Sequence, residues 1–153
     1  SEAAPFPVYG RDGLSLDEAW QDGAKAYKGI TVSGFPNLFF LMGPNTGPGH
    51  TSVLAFTEKQ MDYALQAIRY LGRNGLKYVD VKPRVQERFN REMQWRMKYT
   101  SWTSGCTSWY LTDSGKNTTL YPGFNWEYRL RVRRFAPGDY VREALSDESL
   151  AVA

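Results

Sequence analysis

Residues 43–50 read GPNTGPGH, and this segment limits what the chain can fold into more than any other. Three glycines and two prolines in eight residues exclude a helix there. The preceding residues 37–42, NLFFLM, form an apolar run without polar alternation, which is typical of a strand covered on both faces, as in an α/β sheet. The sequence therefore predicts a strand that runs into a glycine-rich turn.

A helix is predicted directly after this turn. Thr51 or Ser52 can cap its first residues, and Asn74-Gly75 can terminate it. Its apolar side chains recur at helical spacing and are Val53, Phe56, Met61, Leu65, Ile68 and Leu71. A second helix is predicted from Pro83 to about Lys98, with an apolar residue at every fourth position: Val85, Phe89 and Met93.

The remaining segments predict short elements. Residues 14–20 suit one helix turn, and residues 30–32, 107–111 and 118–121 read as short strands. Residues 126–133 alternate strictly between apolar and charged side chains, which predicts a half-buried strand. We expect residues 1–143 to form the body and residues 144–153 to form a disordered tail.

The glycine-rich turn is also the segment that can carry chemistry. The first N–H groups of a helix lack internal partners and carry partial positive charge, so they can bind an anion or an electron-rich carbonyl. The loop has neither the lysine of a P-loop nor the third glycine of the Gly-x-Gly-x-x-Gly fingerprint, where Ser52 stands. A purely structural turn and a ligand-facing turn both remain open on these grounds.

Composition excludes several classes of function. The net charge of +3 is too small to indicate a nucleic-acid partner, and no apolar run has the length of a membrane span. The single histidine, His50, excludes a histidine-based metal cluster, and we expect no metal. The single cysteine, Cys106, excludes an internal disulfide, favours a reducing cytoplasmic location and is expected to be a passive thiol.

Several motifs together resemble one enzyme family. GFPNLF at 34–39, GPNT at 43–46 and GHTS at 49–52 follow the order found in flavin-containing monooxygenases, most closely those of the Baeyer–Villiger type. The resemblance continues through SWY at 108–110, NTT at 117–119, YPG at 121–123 and WEY at 126–128. It covers about residues 9–140.

This resemblance implies an enzyme with one domain for FAD and one for NADPH. NADPH reduces the flavin, and a C4a-peroxyflavin inserts one oxygen atom from O₂ into a ketone or similar apolar substrate. Oxygenation of nitrogen or sulfur is the alternative within the family. The fold class expected for the chain is α+β as an isolated fragment, with two main helices of roughly 20 and 15 residues and short strands. It would derive from the Rossmann-like α/β domain that binds FAD.

The resemblance also implies site residues. In the family the GPNT turn faces the flavin ring and the following helix points its N-terminus at the pyrimidine end. The cofactor-binding candidates are Gly43, Pro44, Asn45, Thr46, His50, Thr51 and Ser52. Trp109 and Tyr110 are candidates for a loop over NADP and the substrate, although Trp109 could equally be a core residue of a strand. No catalytic residue is expected in this chain.

The fingerprints for the ADP halves of FAD and NADPH are absent from the sequence. We therefore expect the C-terminal portion of a longer enzyme, inactive alone, that binds FAD weakly or not at all and has the remaining FAD and NADPH domains as partners. Exposed strand edges would make the isolated chain dimerise. A small-ligand binding or interaction module and a structural cap are the rival hypotheses.

A row of arginines offers one further candidate. Arg129, Arg131, Arg133 and Arg134 would share the charged face of the predicted strand at 126–133. Such a row could bind a phosphate, or it could be a solvated face.

Overall fold

A computed structural model describes residues 5–47, 52–99 and 116–145. These residues form a small α+β structure, which confirms the predicted class. Its helices are α1 (Leu16–Ala19), α2 (Val53–Arg73), α3 (Pro83–Met97) and α4 (Asn125–Arg131), and short 3-10 turns lie at Arg11–Gly13 and Pro137–Asp139. Its strands are β1 (Leu76–Val81) and β2 (Tyr140–Ala144).

The single turn of α1 forms because both of its first amide groups are satisfied locally. The Ser15 hydroxyl accepts from the Glu18 N–H at 3.1 Å, and the Glu18 carboxylate accepts from the Ser15 N–H at 2.9 Å. This reciprocal arrangement is a capping box. It orients the buried Leu16 towards Ala26, Val32 and Phe35, which form a small satellite core. The short helix predicted in residues 14–20 is confirmed.

The two long helices lie where they were predicted, but of the apolar stripe predicted for α2 only Phe56 and Leu71 pack in the core, whereas Val53, Met61, Leu65 and Ile68 are exposed. The buried side chains of α2 recur every three or four residues and are Phe56, Gln60, Tyr63 and Ala67. Gly75, in the left-handed region at φ 56°, follows the helix end as predicted. Pro83 occupies the first turn of α3, whose buried side chains are Val85, Phe89, Met93 and Met97. The main core joins both helices to β1, α4 and β2 through aromatic and aliphatic side chains.

The sequence analysis missed both strands of the sheet. β1 and β2 pair antiparallel, with Val81 opposite Tyr140 and Leu76 opposite Ala144, and the register shifts between Leu76 and Tyr78. Neither strand contains a clean alternation, and the partners lie far apart in the chain. Ala144, the first residue of the predicted tail, is therefore the last residue of β2, while residues 146–153 lie outside the described residues.

The predicted strand at residues 37–42 is wrong for this chain. Asn37 and Met42 adopt left-handed φ values of 58° and 59°, so the segment is interrupted at both ends. Between them, only the Phe40 N–H bonds to the main chain of a neighbouring segment, donating to the Ile30 carbonyl at 2.7 Å. An extended segment is a strand only where a partner completes its hydrogen bonds.

The other short strands are also absent from the described residues. Thr31 within 30–32 and Leu120 within 118–121 form only isolated bridges, to Tyr27 and Gly47 respectively. Residues 107–111 lie outside the described residues.

The alternating segment 126–133 is helical rather than extended, so that prediction is wrong as well. Two apolar residues of this segment, Tyr128 and Val132, are four positions apart and can therefore share one face of a helix. Both are buried, Tyr128 within α4 and Val132 just beyond its end. Trp126 and Leu130, assigned by the sequence to the same buried face, are 63% and 59% exposed. A seven-residue helix has too few turns for the apolar periodicity to distinguish a helix from a strand.

An ion-pair network joins α3 to α4. The Glu127 carboxylate accepts hydrogen bonds from both terminal nitrogens of Arg96, one of them at 2.7 Å, and Arg131 bridges Glu127 and Glu92. The hydrogen bonds from Arg96 are the main reason that the pKa of Glu127 is lowered, against an opposing effect of burial. The network therefore favours the ionised carboxylate in the folded state.

We expect Glu127→Gln to lower the free energy of unfolding by about 1–2 kcal/mol at neutral pH, because two guanidinium groups each lose one anionic partner and keep only Glu92. A lowered folded-state pKa contributes stability above the unfolded value of about 4.3, and this contribution is lost as the pH falls through the folded value. The gap between the original chain and the variant should therefore close in acid. Urea denaturation at several pH values measures it, with Glu58→Gln on the exposed side of α2 as the control. A gap that stays constant with pH would contradict this account.

Candidate functional site

The buried side chain of Asn45 attaches the glycine-rich turn to a distant segment of the chain. Asn45 is only 3% exposed and adopts a left-handed φ of 56°. Its Nδ2 group donates to the carbonyl oxygens of Asn117 at 2.8 Å and Leu120 at 3.0 Å. Its main-chain N–H donates to the Thr118 carbonyl at 2.8 Å. Asn45 therefore fixes the turn to the segment that precedes α4.

The next two residues extend this attachment. The Thr46 hydroxyl is fully buried and donates to the Gly43 carbonyl at 2.6 Å, which closes the turn on itself. Gly47 donates its N–H to the Thr119 carbonyl at 2.8 Å and accepts from the Tyr121 N–H at 3.0 Å. The side chains of Asn45 and Thr46 thus satisfy internal hydrogen bonds.

Two glycines at this place are required by close packing within the chain. A Cβ atom on Gly43 would lie 2.3 Å from the Gly29 carbonyl oxygen, and one on Gly29 would lie 2.0 Å from the Thr46 methyl group. Gly29 also has a φ of 68°, which favours glycine. For these two positions the structural interpretation of the turn accounts for the residue type.

Other groups of the same turn keep binding capacity. The N–H group of Gly43, a partly exposed residue, makes no hydrogen bond to a described residue. The first turn of α2 holds no acidic residue, and its N-cap Ser52 makes no side-chain cap. The first amide groups of α2 thus retain their partial positive charge. This arrangement can accept an electron-rich carbonyl or an anion.

The structure therefore brings only part of the predicted site together. Gly43, Pro44, Asn45 and Thr46 form one turn, and Ser52 begins the helix beyond it. The remaining candidates His50, Thr51, Trp109 and Tyr110, together with Cys106, lie outside the described residues.

Gln60 is a buried residue of this site that the sequence analysis missed. Its Oε1 atom accepts from the Met42 N–H at 2.7 Å, and its Nε2 group donates to the Tyr128 hydroxyl at 2.9 Å. Tyr128 in turn donates to the Lys28 carbonyl at 2.8 Å. This series of hydrogen bonds fixes the start of the turn against α2. The available signal was a glutamine four residues after Phe56 and three before Tyr63, which places it on the buried face of α2.

The predicted arginine row does not exist as one face. Because α4 is a helix, neighbouring arginines point in different directions, and Arg131 is occupied by Glu92 and Glu127. The strand face on which both interpretations relied is therefore wrong, although Arg129, Arg133 and Arg134 are exposed, and phosphate binding by the row remains a hypothesis.

Two further findings concern the described part of the chain. Residues 5–47, 52–99 and 116–145 contain no group of three or more His, Cys, Asp or Glu side chains that could hold a metal ion. Within those ranges, every helix is too short or too polar to cross a membrane.

Comparison with known proteins identifies the class first. The fold matches an oxidised steroid monooxygenase bound to NADP, with a TM-score of 0.79 and 24% identity over 91% of this chain and 27% of that chain. It also matches OTEMO in complex with FAD and NADP, with a TM-score of 0.71 and 26% identity over 82% of this chain and 23% of that one. The fold is thus one found within monooxygenases.

The particular branch follows from sequence. The chain is 48% identical over 141 residues to a Baeyer–Villiger monooxygenase of Pseudomonas aeruginosa, a match that covers 89% of this chain and 27% of the relative. No family model matches. The predicted resemblance is confirmed: the chain is similar in sequence to one segment of relatives named Baeyer–Villiger monooxygenases. It spans about a quarter of the length of the curated relatives that it matches.

We expect Asn45→Asp to lower the free energy of unfolding by about 3 kcal/mol at neutral pH, because a carboxylate would face two carbonyl oxygens that lose their donors. The loss should shrink in acid, where the new carboxyl group regains a proton and one donor. Urea denaturation measures both values.

Asn74→Asp is the matched control for this substitution. Asn74 also donates through Nδ2 to a carbonyl, that of Tyr70 at 2.8 Å, but at an exposed helix end. Its replacement should cost less than about 1 kcal/mol. Equal losses in the two variants would show that the Asn45 contacts carry no special weight.

Proposed function

We propose that this chain is the flavin-facing segment of a longer FAD- and NADPH-dependent monooxygenase that inserts oxygen into a ketone. The sequence identity to a Baeyer–Villiger enzyme supports the reaction class, and the FAD and NADP held by the structural neighbour OTEMO support the cofactors. Two observations carry the proposal: the N-cap Ser52 of α2 makes no side-chain hydrogen bond, and the partly exposed Gly43 has an N–H group without a partner among the described residues.

The described residues fit one end of the flavin. The N–H group of Gly43 and the first amides of α2 would contact the ring, with Ser52 at their edge. When bound, FAD supplies the redox chemistry. The chain's own contribution is a fixed positive potential that stabilises negative charge on the reduced ring. His50, Thr51, Trp109 and Tyr110 remain sequence-based candidates for the rim and for the loop over NADP and substrate.

The segment 38–41 supports an origin in a Rossmann-like sheet. Leu38 and Phe40 pack against the satellite core, while Phe39 packs against the main core, so apolar groups cover both faces. One edge is bonded through Phe40 to Ile30, whereas the Phe39 and Leu41 N–H groups have no acceptor among the described residues. Such a segment is a central strand without its second neighbour. We place that neighbour in the FAD domain of the longer protein.

Substitution of Ser52 separates a flavin-facing helix end from a structural one. Ser52→Asp should stabilise this chain alone by about 0.5–1 kcal/mol, since aspartate caps a helix and complements its dipole. In the longer enzyme the same carboxylate would oppose negative charge on the reduced flavin. We expect slower flavin reduction by NADPH and at least tenfold lower activity on a ketone panel.

Ser52→Asn is the matched control, because it supplies a cap without a charge. It should leave the stability of the chain nearly unchanged, because serine and asparagine are about equally good N-caps, and it should retain most of the activity. Equal activity of the two variants would remove α2 from the flavin site. Oxygenated amines or sulfides in place of esters would assign the enzyme to the other branch of the family. Without its ADP-binding fingerprints, the chain alone should form no stoichiometric yellow complex with FAD.

A second apolar face on α2 supports the incompleteness of the chain. Opposite its buried side, the helix exposes an apolar stripe made of Leu54 (70%), Met61 (48%), Leu65 (42%) and Ile68 (52%). A helix that is apolar on two opposite sides packs between two layers. We propose that the longer protein covers this stripe and that the isolated chain covers it by dimerising.

We therefore expect the isolated chain to self-associate in size-exclusion chromatography with light scattering. Leu65→Glu should shift it to the monomer, because a carboxylate in an apolar interface loses its hydration. Arg69→Glu, an exposed position on the polar side of α2, introduces the same charged group and should leave the association intact. A monomer at all concentrations would contradict the proposal.

A further inference from the structure

Lys28 is a buried cation in an unusual place. It lies in a tight turn in which the Ile30 N–H donates to the Tyr27 carbonyl at 3.0 Å, and its φ is 56°. The residue is 9% exposed. Its ammonium nitrogen lies 4.9 Å from the ring centroid of Tyr27 and 4.9 Å from that of Tyr63. Two aromatic rings thus replace much of the water around the charge.

No carboxylate neutralises this charge directly. Within the described ranges, the Lys28 ammonium makes no hydrogen bond and no ion pair within 4.0 Å. The carboxylate that acts on it at longer range is Asp139, which accepts a hydrogen bond from the Tyr27 hydroxyl at 2.6 Å. Burial lowers the pKa of Lys28 to about 8, with Asp139 opposing this effect and Arg131 adding to it. A buried charge without a partner is costly.

The side chain lines a cavity of about 200 Å³ that is open to solvent. Two further cations line it, Arg88 from α3 and Arg131 from α4, along with one carboxylate, Glu92. Tyr27 and Phe89 contribute an aromatic wall. The cavity therefore holds three cations, from a loop and two helices, against one anion.

The two arginines differ in availability. Arg131 is engaged by Glu92 and Glu127. Arg88 is exposed and has no ion pair with a described residue, so its guanidinium group is available to a ligand. Guanidinium groups bind oxyanions through paired hydrogen bonds, and an ammonium group adds a point charge.

We propose that this cavity binds an oxyanion of the phosphate class, either free phosphate or the phosphate group of a small organic molecule. Lys28 and Arg88 contact the anion, and the ion pair with Arg131 offsets the negative charge of Glu92. A tetrahedral anion presents oxygens in several directions, which suits cations supplied by three separate elements. The site is independent of the flavin-facing turn and of the proposal made for it.

Isothermal titration of the full chain with inorganic phosphate, in a low-chloride buffer, tests the proposal. We expect saturable binding with a stoichiometry near one. Arg88→Gln should weaken binding at least fivefold without unfolding the chain, because the residue is exposed. Arg84→Gln is the matched control: Arg84 is also exposed, lies one turn earlier on α3 and does not line the cavity. Ribose 5-phosphate in a parallel titration distinguishes an organic phosphate from the free anion.

A pH series tests the role of Lys28, with sulfate as a probe that does not titrate. The charged and titratable groups around the amine are Tyr27, Tyr63, Arg88, Glu92, Arg131 and Asp139. Burial raises the pKa of both tyrosines, so they stay neutral. Sulfate affinity should fall several-fold between about pH 6.5 and about pH 9.5, as the amine loses its proton. Lys28→Met should bind weakly at both values.

Three results would overturn the site. The first is the absence of saturable phosphate binding. The second is an equal loss of affinity in Arg88→Gln and Arg84→Gln, which would indicate a general charge effect. The third is a sulfate affinity independent of pH in a chain whose circular dichroism shows that it is folded.

Discussion

The buried carboxamide of Asn45 is the contact on which the arrangement of the turn depends. It joins Asn45 to Asn117 and Leu120, which lie 72 and 75 positions further along the chain. The turn and the segment before α4 therefore form one unit. Both acceptor carbonyls lie away from solvent, and a lost donor would leave them unsatisfied at a cost of about 1–3 kcal/mol each. Gln60 performs the equivalent task on the other side of the turn, where it ties Met42 to α2 and Tyr128. The turn is therefore fixed between two buried amides.

Periodicity in the sequence predicted the two long helices, since each repeats its apolar spacing over several turns. It failed for α4, where seven residues fit both a strand and a helix and only the contacts of Glu127 and Tyr128 decide. It also failed for β1 and β2, because their pairing joins residues whose relation no local pattern contains. At the site, motif resemblance located the turn, but it could not show that Asn45 faces inward. That outcome depends on carbonyls of residues 117 and 120, which are distant in sequence.

The wrong strand at 37–42 has a different cause from the wrong strand at 126–133. In the second case the chain prefers another structure, and α4 satisfies its own backbone. In the first, apolar side chains cover both faces of the segment, as a central strand requires, but among the described residues a single main-chain hydrogen bond, from Phe40 to Ile30, joins residues 38–41 to a neighbouring segment. This pattern is the basis of our proposal that the strand's second partner lies in the longer protein. The exposed apolar stripe on α2 also supports a missing partner, because an apolar helix face is left uncovered there.

The side chains of the turn can form hydrogen bonds within the chain while its backbone N–H groups face a ligand. The internal hydrogen bonds make ligand binding effective because they hold the backbone in place. A donor that stabilises developing charge must be oriented before the charge appears, because reorientation during the reaction costs free energy. Asn45 and Thr46 have no freedom left once their hydrogen bonds to residues 117, 120 and 43 are made. The N–H group of Gly43 is then held in a fixed direction. A structural turn of this kind is thus the form that a rigid ligand-facing turn takes.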